Sequence, residues 1–539
     1  MIILGDISGI QRYLFDVADA GGGQARRLRA RSFYIQLLTE AAALRVLGAF
    51  CWPRDSEHFL LSGAGKFLLK GTADGDADGR LQSLQREFAD WLLRETHGEL
   101  RLALGWADGE GEIATYREAM AAIQRAKLRP WAPVAGTGWD PGRLILPPLD
   151  RPCSLCGHAA AVEEELDDET GAARLVCSRC AADRNLGKLL PRARWLLFNT
   201  TPRKADLKLL GLGAQVSDVE RPDLGPGTLA LADLAHPDRV PEWCPADLFH
   251  HRRLMAYIPV IDKRPVWFID IARQARGDRL LGVLKADVDS LGLAMEGLLA
   301  SGGGLQPMAA FSRELDEFFS EQLKQEIETG ADPRWRSIYT VFAGGDDLLL
   351  VGPWDVMFDF AGRVRELFQQ EFGARGLTLS AGLALIKPKR PIKGAVAEAE
   401  RLLEQAKIVR APLAESEKDA CAAFGQLWKW DHHDRVQRAA KQLAGWVEEK
   451  QCQRGWLHTL LELAEIRQGN QELKRAPNLL ATSHLAYHVE RNYPRNSPMR
   501  HWGEDLVRRF DNLKDPEIRF LPAILRYALT ATRAPGGEE

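Results

Sequence analysis

The sequence predicts an α+β protein: two ferredoxin-like units, a zinc-binding helical insert between them, and a C-terminal helical domain. Three observations lead there. Stretches beginning near Ile2 and near Leu280 each run strand, helix, hairpin in the same order. Two Cys-x-x-Cys pairs lie between them. Beyond Pro412, apolar residues recur at helical spacing, as in Trp456-Leu-His-Thr-Leu-Leu-Glu-Leu-Ala464.

The second repeat is the easier to read. Leu280-Leu-Gly-Val-Leu-Lys-Ala-Asp287 is an apolar run of strand length, and Asp289-Ser-Leu-Gly292 opens a helix. An amphipathic stretch follows from Phe311 to Thr329. Ile338–Phe342 and Leu348–Val351 are strands around the glycine turn Gly344-Gly345, a hairpin signature. Helix over Asp355–Phe372, strand over Leu377–Ile386 and helix over Ala395–Val409 complete a split β-α-β arrangement.

The first repeat has Ile2-Ile-Leu4, helix around Ser32–Ala41 and the hairpin Phe59–Leu69. Asp6 to Gly63 is 57 positions, and so is Asp287 to Gly344. Equal spacing with equal element order predicts an internal duplication. The expected domains are 1–140, 141–264, 265–411 and 412–539. Pro130–Gly142 and Glu220–Gly227 are expected loops, and the tail from Pro535 is expected to fray.

Composition sets limits. A chain of 539 residues holds about three to five domains. Its apolar share of 45% and charged share of 27% are globular values. A net charge of −3 excludes a general nucleic-acid binder acting through bulk charge. Neither a secretory leader nor a membrane span is evident in the sequence, so a cytoplasmic location with no membrane partner is expected.

The chemistry of the second repeat lies at one end of its sheet. Asp287 ends a strand, and Asp346 and Asp347 sit in the hairpin turn. Converging carboxylates repel one another without cations. Mg²⁺ or Mn²⁺ is therefore expected on Asp287, Asp346 and Asp347, the arrangement that supports in-line attack at a phosphate. Gly344 and Gly345 allow close approach of a nucleotide. Asp289, Ser290 and Gly292 offer helix-start N–H groups to a triphosphate, and Lys407 offers a further phosphate contact. A Gly-Gly-Asp-Asp turn that merely closes a hairpin is the bland alternative; the upstream Asp-Val-Asp strand end argues against it. The first repeat has Gly63-Ala-Gly-Lys66 in the turn and Ser8 in place of Asp289. Its groove is expected either to bind a nucleotide through Gly63 and Ser8 or to serve only as a packing partner.

Cys153, Cys156, Cys177 and Cys180 have the spacing of a structural Zn²⁺ site with no open position. Arg26-Arg-Leu-Arg-Ala-Arg31 is expected as a solvated face, with phosphate or partner binding as the lesser alternative. Trp428, Trp430 and Trp446 are expected as core or interface anchors. His433-Asp434 is expected on the surface.

Gly5-Asp-Ile-Ser-Gly-Ile-Gln11, Leu28-Arg-Ala-Arg-Ser-Phe-Tyr34, the four cysteines, Leu284-Lys-Ala-Asp-Val-Asp-Ser-Leu-Gly292 and Phe342-Ala-Gly-Gly-Asp-Asp-Leu-Leu-Leu-Val-Gly-Pro-Trp354 occur in this order. Together they resemble the large palm-domain subunit of type III CRISPR effector complexes, through about Lys407. The resemblance implies two palm domains and synthesis of cyclic oligoadenylates from ATP when the complex binds target RNA. It implies Asp346 and Asp347 as the catalytic pair and Asp287 as the upstream acid. Partner Cas subunits, a CRISPR RNA and the target RNA are implied through the complex. Many members begin with an HD nuclease domain; here the first palm strand starts at residue 2, so a form without that domain and without DNase activity is expected. The competing readings are a palm-type cyclase using another nucleotide and a non-catalytic scaffold. The intact carboxylates argue against the scaffold, and the zinc module and second palm against a simple cyclase.

Overall fold

The computed structural model describes residues 1–15, 23–63, 65–73, 75–135, 149–167, 171–203, 207–251, 258, 260–261, 264–414, 417–472 and 479–534. The loop expected over residues 136–142 and the tail from Pro535 lie outside them. The chain divides into two compact units. One contains Met1–Ile258, Gly292–Glu326 and Thr340–Asp346; the other contains Pro259–Leu291, Ile327–Tyr339 and Asp347–Glu539.

The first unit begins with β1 (Ile2–Ser8), α1 (Ile10–Phe15) and α2 (Gln24–Phe50). The hairpin β2 (Phe59–Gly63) and β3 (Lys66–Lys70), then α3 (Ala77–Thr96), β4 (Arg101–Ala107), α4 (Glu112–Leu128) and the short α5 (Ala132–Ala135) follow. The sheet order is β2-β3-β1-β4, with β1 antiparallel to both neighbours. Gly105 lets α4 press against β4: a Cβ there would lie 2.4 Å from Ile123 N and 2.6 Å from Ala119 O. By length and composition α2 is apolar enough to cross a membrane, but most of it is buried inside the protein, as in a core helix.

The middle segment corrects the expectation of a helical insert. It holds the hairpin β5 (Glu163–Leu166) and β6 (Ala173–Val176), the single long helix α6 (Ser178–Leu189), and a sheet. That sheet comprises β7 (Trp195–Asn199), β8 (Leu207–Leu209), β9 (Leu212–Ser217) and β10 (Thr228–Asp233) in the order β10-β7-β9-β8. β7 is buried throughout, so its apolar run carries no alternation that distinguishes strand from buried helix.

The next elements are the two-residue strands β11 (Val260–Ile261) and β12 (Arg264–Pro265), α7 (Phe268–Arg273), β13 (Leu281–Val288), α8 (Leu291–Ala300), α9 (Gln306–Glu317) and α10 (Leu323–Thr329). A π turn over Phe318–Gln322 interrupts the expected amphipathic helix. Within the first unit, Leu299 of α8 and Met308 and Ala309 of α9 share a core with Ile2, Leu4 and Leu60 of the first sheet. Glu112 Oε2 accepts the Leu305 amide at 2.9 Å beside them. The helical stretch after Asp287 is thereby a packing layer of the first repeat.

β14 (Tyr339–Gly344) and β15 (Asp347–Pro353) are joined by the glycine turn, followed by α11 (Trp354–Phe372), β16 (Leu379–Ile386) and α12 (Ile392–Ile408). In the second unit β13 lies between antiparallel β15 and β16. Gly382 does for α12 what Gly105 does for α4: a Cβ there would lie 2.3 Å from Ala399 O.

The C-terminal segment is not wholly helical. β17 (Ala420–Ala423) pairs parallel with β16, and β18 (Gln426–Lys429) pairs with β17, extending the second sheet. Then come α13 (His433–Glu448), α14 (Arg454–Glu472), α15 (Leu479–Asn492), α16 (Pro498–Arg509), α17 (Pro516–Arg519) and α18 (Leu521–Ala531). Trp428 and Trp430 are buried anchors. His433 corrects the expected surface dipeptide: it is 2% exposed, with Phe358 4.8 Å and Trp430 5.2 Å from its ring. It lies on the apolar face of α13, and the HD pairing is incidental to that packing.

Candidate active site and four-cysteine metal centre

β13 is apolar from Leu281 to Leu284 because both faces are covered; polar groups enter at Lys285 and Asp287, and Asp289 follows the strand. Asp287 stands directly opposite Asp347 of β15 and Ser380 of β16. Asp346 precedes Asp347 in the turn. Two carboxylates face each other across neighbouring strands, a repulsive arrangement unless cations reach it. Lys407, in the last turn of α12, is ion-paired with Asp287. Lys285, 4% exposed, is ion-paired with Glu400 of α12. Burial lowers the pKa of Lys285, opposed by the charges of Asp347, Asp287 and Glu404. Gly382, opposite Lys285, gives α12 the close approach that brings Glu400 and Lys407 to the strand end.

The glycine turn is built for its shape. Gly345 has φ 69°, a left-handed conformation that favours glycine, and its amide donates to Asp316 Oδ1 at 3.2 Å. Gly344 lies 3.0 Å, by its Cβ position, from the same carboxylate.

Asp289 does not offer the helix-start N–H expected of it: its amide donates to Thr378 O at 2.8 Å. It is 2% exposed, and its Oδ2 accepts from Thr378 Oγ1 (2.8 Å), Ser380 Oγ (3.0 Å) and the Asp419 amide (3.0 Å). It is an internal brace of the strand end. Ser290, at φ 57°, accepts from Lys418 Nζ at 2.7 Å. Gly292 lies exposed in the first turn of α8, where a Cβ would meet nothing within 4 Å.

In the first repeat, Asp6 lies two residues before the end of β1, opposite Lys66 and Ala103, and is ion-paired with Lys127 in the last turn of α4. The turn brings no second carboxylate. Gly63 ends β2, and Ser8 ends β1 opposite Arg101. Ser62 Oγ donates to Glu40 Oε2 at 2.9 Å, and Glu40, buried on α2, meets His250 Nε2 at 2.7 Å.

The four cysteines come together. Their Sγ atoms all lie within 4.8 Å of one another, with Cys156 and Cys177 at 3.8 Å. Zn–S bonds of about 2.3 Å set tetrahedral S···S separations near 3.8 Å, so the donor set and spacing fit the metal. Cys177 also caps α6, accepting the Cys180 amide. Among the described residues this is the only group of three or more metal-capable side chains.

Reading the sequence alone missed Lys127, Lys285, Glu400 and the role of the arginine run. Lys127 was accessible from the repeat, since Asp6 to Lys127 is 121 positions and Asp287 to Lys407 is 120. The arginines correct the solvated-face expectation: Arg27, Arg29 and Arg31 are 1%, 4% and 2% exposed. Charge alone points outward, and their partners are distant in sequence.

Comparison with known proteins agrees with this architecture. The family model for the Cas10/Cmr2 second palm domain matches residues 280–422, and that for Csm1 subunit domain B matches residues 1–130. The chain is similar to the CRISPR system single-strand-specific deoxyribonuclease Cas10/Csm1 (subtype III-A) of Thermococcus onnurineus, 27% identical over 86% of this chain and 62% of that protein. The Mycobacterium tuberculosis protein of the same description is 29% identical over 75% of this chain and 52% of the relative. The chain thus spans between half and two thirds of their length. In structure it is similar to a Csm1-Csm4 cassette in complex with AMPPNP (TM-score 0.69, 19% identity, 99% of this chain and 69% of that one). It is equally similar to the cassette in complex with cA4 (TM-score 0.69, 20% identity, 99% and 70%). Two family models, one on each repeat, together with these relatives, place the chain in the Cas10/Csm1 family of large subunits of type III-A CRISPR complexes.

Proposed function

We propose that the second repeat joins ATP into cyclic oligoadenylates when the assembled effector complex binds target RNA. The observation that carries this reading is the register of Asp287 against Asp347, with Lys407 on Asp287. Asp287, Asp346 and Asp347 would hold Mg²⁺ or Mn²⁺, which supplies charge neutralisation and a more acidic ribose hydroxyl. Gly344 and Gly345 leave room for a nucleotide against the backbone, and Ser290 and Gly292 lie where a triphosphate meets a helix start. Lys407 holds Asp287 in place and is near enough to the strand end to meet a phosphate. Asp289 orients the strand end from behind. Ser8 and Gly63 would meet a second ATP in the first repeat. The solved Csm1-Csm4 cassettes with AMPPNP and cA4 support a nucleotide substrate and a cyclic product. They also support partner subunits of the Csm4 kind, with CRISPR RNA and target RNA reached through the complex.

The four cysteines are read as a structural Zn²⁺ site. We read these residues as carrying no DNase activity, although the relatives are described as deoxyribonucleases. The one His-Asp dipeptide that could suggest such a nuclease has its histidine, His433, packed against the Phe358 ring at 4.8 Å. Cleavage of single-stranded DNA by the pure protein with Mn²⁺ or Ni²⁺ overturns that part. Turnover of labelled ATP, with and without cognate target RNA, tests the rest. A scaffold gives no product, and another cyclase gives product from GTP.

A further inference from the structure

α2 and α6 meet closely. Gly187 of α6 is so near that a Cβ would lie 2.3 Å from Arg26 O. Across this contact α2 sends three buried arginines into the cysteine module. Arg27 is ion-paired with Glu165 of β5, and its Nη1 donates to Cys180 O at 3.3 Å. Arg29 Nη2 donates to Gly187 O at 2.5 Å. Arg31 Nε meets Asp183 at 2.9 Å, and its Nη2 points at Cys180 Sγ from 3.9 Å. From the module side, Arg179 lies over the Tyr34 ring at 3.3 Å and meets Asp183 at 3.3 Å, and Arg184 meets Glu165 at 3.6 Å. In these ion pairs four guanidinium groups share two carboxylates.

A zinc ion with four thiolates carries a net charge of about −2. Cys153, Cys177 and Cys180 are buried, and a buried charge is costly unless paired. Three helical positions spaced by two residues send guanidinium groups into one module, and one ends on a ligand sulfur. We propose that Arg31 is the outer-shell cation of the four-cysteine metal centre, and that the bound metal in turn holds the N-terminal half of α2 against the module. α2 is one 27-residue helix, and it carries Glu40, the partner of Ser62 beside Gly63. The proposal rests on the zinc reading above.

The test uses the full chain. Metal content comes first: protein purified without tightly held zinc overturns the zinc reading and the proposal with it. Zinc affinity is then measured by competition with a chromophoric chelator. Arg31→Met is expected to bind zinc about 10–100-fold more weakly, the usual effect of losing an outer-shell partner. Arg31→Lys is expected to recover part of the loss. Arg192→Met, at an exposed arginine paired with Asp218, is expected to match wild type. Zinc bound equally well by Arg31→Met overturns the proposal and leaves the zinc reading standing. Should Arg31→Met fail to fold, wild type decides. Chelation is expected to speed amide exchange over residues 24–34 while residues 281–288 keep their protection. Unchanged exchange in α2 after metal removal overturns the proposal.

Discussion

Lys407 is ion-paired with Asp287, joining the last turn of α12 to the end of β13. The first repeat has the same pair in the same place, Lys127 of α4 on Asp6 of β1. A cation suits a helix C-terminus, where carbonyl oxygens are unpaired. A lysine clamp on the aspartate near the strand end is thus common to both repeats. Only the second copy adds the Asp346-Asp347 turn. The clamp alone does not distinguish a working site; in the proposed function the added carboxylates do.

Removing the clamp should therefore matter unequally. Lys407→Met is expected to lower ATP turnover roughly 10–100-fold, as for loss of a group that orients a metal ligand. Lys127→Met is expected to change turnover less than about 3-fold, because no second carboxylate stands in the first repeat's turn. Steady-state rates of the assembled complex, with thermal unfolding of both variants as a folding control, check this. Equal losses contradict the assignment of chemistry to the second repeat.

Gly382→Ala is expected to destabilise the protein by about 1–3 kcal/mol, because the new methyl meets backbone of α12 rather than a movable side chain. Gly105→Ala is expected to do the same against α4. Gly394→Ala, exposed within α12 with nothing within 4 Å of the new methyl, is expected to be neutral or to stabilise by up to about 1 kcal/mol. Denaturant midpoints of the three variants decide it.

Burial among aromatic rings pushes the His433 pKa down to about 4 from an ordinary 6.5. The unfolded chain then binds a proton that the folded chain refuses. Stability is full above pH 6.5 and falls as pH drops from 6.5 toward 4, by on the order of 3 kcal/mol in total. His433→Phe is expected to flatten that part of the stability profile. A slope between pH 6.5 and 4 identical to wild type contradicts this reading.

Much of this was legible in the sequence. The strand ends at Asp287 and Asp6, the glycine turn and the cysteine pairs all have local signatures. β7 to β10 were not legible, because β7 is wholly buried and shows no alternation. β17 and β18 were hidden by their turn, where Phe424 takes a left-handed φ of 51° before Gly425; a bulky residue there is not a hairpin signal. Asp289 was expected to offer a helix-start N–H, but that amide is taken by Thr378 O and its carboxylate is an internal brace. Its partners Thr378, Ser380 and Asp419 lie about 90 to 130 positions away. The arginine run was misread for the same reason: its counter-charges are on another element, and no local pattern announces them.

The most direct test of the central claim is labelled-ATP turnover by the assembled complex with Mg²⁺ and cognate target RNA, wild type beside Asp346→Ala/Asp347→Ala. The account predicts RNA-dependent cyclic oligoadenylate from wild type and a loss of at least about 10²-fold in the variant. Equal product from both, or none from well-assembled, target-bound wild type, contradicts it.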